Sequence, residues 1–224
     1  MNKTGEDKIL NPVCSLKKPF KGAVFLQGNC FYSSAQELWT RLGYELVRSI
    51  EEADIVCWLG GADINPAIYG ERMAGTHGFN SRQDEEDIAA IKKSGDRFKV
   101  GICRGAQLLN CFPNGGSLWQ HTDNHSGGHI ITDVLTDAKY KVNSIHHQQM
   151  RPTDEAEILA FTNVSTFKES DAGTWHRGEK TDNDIEAVWY EKTKSLCVQW
   201  HPEVGGGDSV SYFNNLLERY YHAA

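Results

Sequence analysis

Phe98-Lys99-Val100-Gly101-Ile102-Cys103-Arg104-Gly105-Ala106-Gln107-Leu108-Leu109-Asn110-Cys111 is the stretch that decides how this chain folds. Phe98 to Ile102 reads as a strand, Gly105 to Cys111 reads as a helix, and Cys103 sits at the sharp turn between them. Such a turn strains its central residue and lifts that side chain out of the sheet. Gly101 and Gly105, two residues to either side, relieve the crowding. The helix would point its positive end at the sulfur, and the Arg104 N–H would face an oxyanion. A buried cysteine between two packing glycines is the plainer alternative, and the pentapeptide alone does not choose between them.

Two other stretches tip the balance. Asp54 to Leu59 reads as a strand that runs into Gly60-Gly61-Ala62-Asp63, where a glycine pair could offer backbone N–H groups. Neighbouring parallel strands would bring this turn and Cys103 to one rim, where ligands bind in such folds. Ser195 to Trp200 is another apolar strand, followed by His201-Pro202-Glu203. In an extended segment residues two apart point the same way, so His201 and Glu203 can face one site. Nucleophile, oxyanion donors, base and orienting acid are the parts that acyl transfer through a thioester needs.

Outward from these motifs, Lys21 to Leu26 and Tyr44 to Val47 read as strands. Ser34 and Glu37 form a capping box for a helix that runs to about Leu42, with Gly43 as its stop. Asp84 to Lys93 is a second helix, acidic at its start and basic at its end. Strand alternating with helix predicts an α/β fold with a mostly parallel central sheet flanked by helices. His129 to Val134, Glu157 to Phe161 and Asp184 to Tyr190 add strands, and Ser209 to Tyr221 reads as a closing amphipathic helix. Gly173 to Asp184 is polar and expected to be an exposed loop. Residues 1–20 are expected to be a loose tail, and residues 21–224 one domain.

Lys and Arg total 23 against 30 Asp and Glu, a net charge of -7 on 224 residues. With no basic run, nucleic acid and anionic membranes are not expected partners. No apolar stretch approaches a membrane span, and the N-terminal residues lack the apolar segment of an export signal, so a cytoplasmic location is expected. The six cysteines show no regular spacing, which fits reduced thiols. Cys57 and Cys197 lie inside apolar strands and are expected to be inert. His121, His125 and His129 are spaced by four, but Gly127-Gly128 argues against a continuous helix, so no metal site is expected.

Taken together, these motifs resemble the class I glutamine amidotransferase superfamily with its Cys-His-Glu triad and flavodoxin-like fold. Within it the chain looks most like the γ-glutamyl hydrolase branch (peptidase C26-like, including γ-glutamyl-γ-aminobutyrate hydrolases). Gly60 to Pro66 with Tyr69-Gly70-Glu71, Gly101 to Gln107, Gly115 to Gln120, Val142 to Gln148, Asp184 to Val188 and Cys197 to Glu203 carry the likeness. Departures are a short stretch between Gly116 and His146, Arg82-Gln83-Asp84 where the branch commonly has Arg-Asp, Cys197 in place of a glycine, and an atypical first strand.

The resemblance implies that Cys103 is the nucleophile, His201 the general base and then acid, and Glu203 the orienting group. Gly61 and Arg104 would give the oxyanion N–H groups, with Gly60 shaping the turn. Gln107, Ser144, Ile145 and His146 would help hold the glutamyl end of the substrate. No metal or organic cofactor is implied. Two enzymatic readings follow: a stand-alone hydrolase of γ-glutamyl amides, and a glutaminase subunit that supplies ammonia to a separate synthetase or amidoligase. An inactive binding module and a protease of large substrates are the remaining classes. The implied partners are a small γ-glutamyl substrate, such a synthetase, or a second copy of the chain.

Overall fold

A computed structural model describes residues 20–178 and 183–222. The expected tail, and Cys14 within it, lies outside these apart from Phe20. In chain order the elements are β1 (Ala23–Gln27), α1 (Tyr32–Arg41), β2 (Glu45–Leu46), β3 (Ile55–Trp58), α2 (Ser81–Ser94), β4 (Phe98–Ile102) and α3 (Arg104–Cys111). Then come β5 (Ser117–Trp119), β6 (His121–Thr122), β7 (Ser126–Asp133), β8 (Lys139–Ile145), β9 (Gln149–Arg151), β10 (Glu157–Thr162), β11 (Phe167–Ser170), β12 (Gly173–His176), β13 (Asp184–Tyr190), β14 (Ser195–Val198) and α4 (Gly207–Tyr220).

The main sheet has the order β2-β1-β3-β4-β14-β13-β10-β7-β8. From β2 to β14 every pairing is parallel, and from β14 to β8 every pairing is antiparallel. Only β13 and β7 therefore run against the common direction, and the sheet is mostly parallel as expected. Alternation along β3 sends Ile55 and Cys57 to one face and Val56 and Trp58 to the other. The first face packs on α1 and α4 through Leu38, Trp39, Phe213 and Leu217. The second packs on α2 and α3 through Ile91, Ala106, Leu108 and Leu109. With both faces covered, β3, β4 and β14 are buried throughout, which is why they are mostly apolar, with Lys99 in β4 as the charged exception. Cys57 and Cys197 have no exposed surface, and burial pushes both thiols up.

Several sequence expectations are corrected. α1 begins two residues before Ser34, after Phe31 in a left-handed conformation (φ 49°), and no side chain caps it. The Phe31 ring lies against His201, and the Ser34–Glu37 box is not used. α2 opens at Ser81, capped by Asn80, whose side chain accepts the Gln83 N–H at 3.2 Å. The first turn of α2 carries Asp84 and its last turn Lys92 and Lys93, the charge order expected, and Asp84 is in addition buried. Gly127 and Gly128 lie within β7, which starts three residues earlier than expected. The polar stretch from Gly173 begins with β12, paired to β11 and through it to β6. Residues 179–182 of that stretch lie outside the described residues.

Candidate active site

β4 delivers Cys103 to the C-terminal rim of the parallel strands. Cys103 has φ 52° and ψ -112°, a conformation in which a side chain is strained. The turn is held on both sides: the Cys103 N–H donates to the Val198 carbonyl at 2.8 Å, and its carbonyl accepts the Gln107 N–H at 3.0 Å. A Cβ on Gly101 would stand 2.5 Å from the Ala106 backbone, and one on Gly105 would strike the Trp58 carbonyl. Both glycines are therefore needed for the elbow to close against β3. As the first helical residue, Arg104 has an N–H with no intrahelical acceptor.

His201 arrives from β14. It does not reach Glu203 by strand alternation, because β14 ends at Val198 and Pro202–Val204 form a 3-10 turn. That turn, started by the fixed φ of Pro202, folds Glu203 back so that its Oε1 lies 2.7 Å from His201 Nδ1. Burial disfavours the imidazolium, but hydrogen bonds to Cys103 and Glu203, and the charges of both, outweigh it and lift the His201 pKa to about 10.

The surroundings of His201 were not legible in the motif. Asn143 clamps its backbone twice: the His201 N–H donates to Asn143 Oδ1, and Asn143 Nδ2 donates to the His201 carbonyl, both at 2.9 Å. The Phe31 ring meets the imidazole edge-on at 5.3 Å. A Cβ on Gly60 would lie 2.7 Å from His201 Cε1 and 3.3 Å from Cys30 Sγ. Gly60 therefore makes room for the base, and Cys30 is a second thiol beside it. Burial, then the charges of Cys103 and Glu203, push the Cys30 thiol up. Cys30 and Phe31 follow the C-terminal end of β1, and that rim position was the one signal that could have flagged them.

On the other side of the elbow, the Arg104 side chain is buried and forked. Its Nη1 lies 2.5 Å from Asp87 and its Nη2 2.5 Å from Asp84. Asp87 also accepts from Gln27 at the end of β1, at 2.8 Å. Burial pushes the Asp84 carboxyl up against the pull of Arg104. Gly61 is exposed, and a Cβ there would lie 2.7 Å from Gln83 Nε2, so the residue that departs from the family pattern sits directly against this turn.

The residues expected to hold the glutamyl end are divided. Gln107 is buried and donates to the Gln148 carbonyl at 2.9 Å. The Ser144 hydroxyl, 3.5 Å from His125 Nδ1, and the His146 ring turn into the interior, while Ile145 is exposed. There His125, His129 and His146 surround Glu186, with His129 Nε2 3.2 Å from its Oε1. A cleft of about 870 Å³ lined by Ala53, Phe98 and Trp189 opens at the opposite rim of the sheet, away from Cys103.

A parallel sheet with a cysteine elbow at its C-terminal rim and a histidine–glutamate pair beside it defines a protein of the class I glutamine amidotransferase-like superfamily. The peptidase C26 family model matches residues 43–203, and the chain belongs to that family. It is 28% identical over 173 residues to the glutamine amidotransferase-like protein YvdE of Lactococcus lactis subsp. lactis (strain IL1403). That match covers 67% of this chain and 66% of YvdE, so the chain spans just under two thirds of that relative's length. Among solved structures, a GMP synthase protein from Thermoplasma acidophilum superposes with a TM-score of 0.59 at 14% identity, covering 90% of this chain and 96% of the other. PurLQS from Thermotoga maritima gives 0.59 at 15% identity, covering 88% and 97%. These structures share the fold. Among the described residues no helix is long and apolar enough to cross a membrane.

Proposed function

We propose that residues 21–224 act as one domain that hydrolyses the γ-glutamyl amide bond of glutamine or of a γ-glutamyl amine through a thioester on Cys103. The observation that carries this reading is the His201 ring, held at Nδ1 by Glu203 at 2.7 Å and close enough to Cys103 for the sulfur to help raise its pKa. With its raised pKa, His201 already holds the thiol proton at neutral pH, and the thiolate sulfur attacks the γ-carbonyl carbon. The oxyanion that forms is met by the N–H groups of Gly61 and Arg104. The imidazolium returns its proton to the leaving nitrogen as the C–N bond breaks, releasing ammonia or an amine. His201 then takes a proton from water, whose oxygen attacks the thioester. Collapse of that second intermediate frees glutamate and restores the thiol. Glu203 holds the ring in the tautomer that presents Nε2 to the sulfur.

The deciding experiment measures glutamate release from L-glutamine and from a panel of γ-glutamyl amines, with Cys103→Ala as the blank. Rapid Cys103-dependent cleavage of one amine supports a stand-alone hydrolase and names its substrate class. Slow cleavage of glutamine alone turns the reading to a glutaminase that supplies ammonia to a separate synthetase. Full activity in Cys103→Ala overturns the mechanism.

A further inference from the structure

His77, His121 and His147 come from three separate parts of the chain. Each nonetheless offers a ring nitrogen to one place, and these donor atoms all lie within 4.8 Å of one another. The Nδ1 atoms of His121 and His147 are 3.3 Å apart. A tetrahedral ion with metal–nitrogen bonds of about 2.0–2.1 Å holds its ligands about 3.3–3.4 Å apart, so this pair already stands at ligand spacing. The other nitrogen of His147, Nε2, lies 2.8 Å from Asp63 Oδ1. That carboxylate fixes the proton on Nε2 and leaves the Nδ1 lone pair aimed at His121, the arrangement by which outer carboxylates orient metal-binding histidines. Asp63 Oδ2 accepts the backbone N–H of His77 at 2.6 Å, so one carboxylate places two of the three residues.

The frame around them is fixed as well. The Thr122 N–H donates to the His147 carbonyl at 2.7 Å, tying the residue after His121 to the second histidine. Thr76, next to His77, donates its hydroxyl to Gln120 at 3.0 Å and accepts from Gln148 at 3.2 Å. The rings are part-exposed, which leaves a path for an ion.

We propose that His77, His121 and His147 bind one divalent transition metal ion, zinc by ligand chemistry, with Asp63 orienting His147 and a fourth position open to water. Asp63 lies two residues beyond Gly61, so filling this site braces the segment that carries the proposed oxyanion turn. The metal site stands independently of the chemistry assigned to Cys103. The inner group of His125, His146 and Glu186 is a rival set of ligands, but it is closed from solvent and Glu186 already pairs with His129.

The test uses untagged full-length protein stripped with a chelator. Zinc is titrated by calorimetry, and cobalt is added to read its visible spectrum. One ion per chain and an intense tetrahedral cobalt band are expected, unchanged in Cys103→Ala. His121→Ala and His147→Ala should weaken binding at least 100-fold, and the exposed His77→Ala serves if either fails to fold. Asp63→Asn should weaken it by about 10- to 100-fold. Glu186→Gln should bind as wild type. Absence of binding in the wild type, or wild-type affinity in His77→Ala and His147→Ala, overturns the proposal. Loss in Glu186→Gln with retention in His121→Ala moves the ion to the inner group and overturns it equally.

Discussion

Gly60 and His201 illustrate how finely the site is fitted at the scale of single residues. With only 2.7 Å between a Cβ at position 60 and the imidazole Cε1, Gly60→Ala must push the ring away from the sulfur. A displacement of about 1 Å in a reacting group can cost about 10²-fold in rate, so the turnover number should fall by about that factor with KM little changed. Steady-state kinetics on the substrate found by the glutamate-release panel checks this. The His201 pKa near 10 gives a second prediction. Turnover should hold through neutral pH and fall on an alkaline limb near pH 10, as the acid that protonates the leaving nitrogen is lost. Glu203→Gln removes one support of the imidazolium and should move that limb to lower pH. The sign for stability agrees. A histidine raised from about 6.5 stabilises the fold fully below that pH, and the contribution disappears as pH rises through the folded value. A pH series of thermal unfolding for wild type and Glu203→Gln reads that part.

Between elements, the ion triad of Arg104, Asp84 and Asp87 joins α3 to α2, and Gln27 extends it to β1. Its role is positional, since Arg104 begins the helix that starts at the nucleophile. Removing Arg104 leaves two buried carboxylates without their cation. Arg104→Met should therefore destabilise the protein by about 3–5 kcal/mol in chemical denaturation. The sequence around α2 read as dipole-compensating acids because one helix seen alone offers no other use for them. Only packing against Arg104 reveals where Asp84 and Asp87 go. β8 escaped notice for a related reason. Lys139 to Ile145 buries only Val142 and Ser144, so its apolar signal is too thin to stand out. Yet its Asn143 is what holds the backbone of His201.

For the whole molecule, the sheet divides the core into two layers with helices on each face. Ile55 belongs to one layer and Ile91 to the other. Ile55→Val and Ile91→Val should each cost about 0.5–1.5 kcal/mol. On opposite faces with the sheet between them, the two losses should add within about 0.3–0.5 kcal/mol. Denaturation of the two single variants and the double variant measures this, and a strong departure would mean that the layers relax together.

The sequence by itself determined the parallel α/β half, the elbow at Cys103 and the His201–Glu203 pair. Each is encoded locally, in an apolar run long enough to be a buried strand or in residues within a few positions of one another. Tertiary structure alone decided what surrounds them. Phe31, Cys30, Gly60 and Asn143 gather at His201, and Asp84 and Asp87 at Arg104. The histidines at 121, 125 and 129 separate, His121 joining His77 and His147 while His125 and His129 turn inward to Glu186. Those groupings come from strand order and from the turns at one rim of the sheet. Residues far apart in the chain meet there, and no local spacing records it.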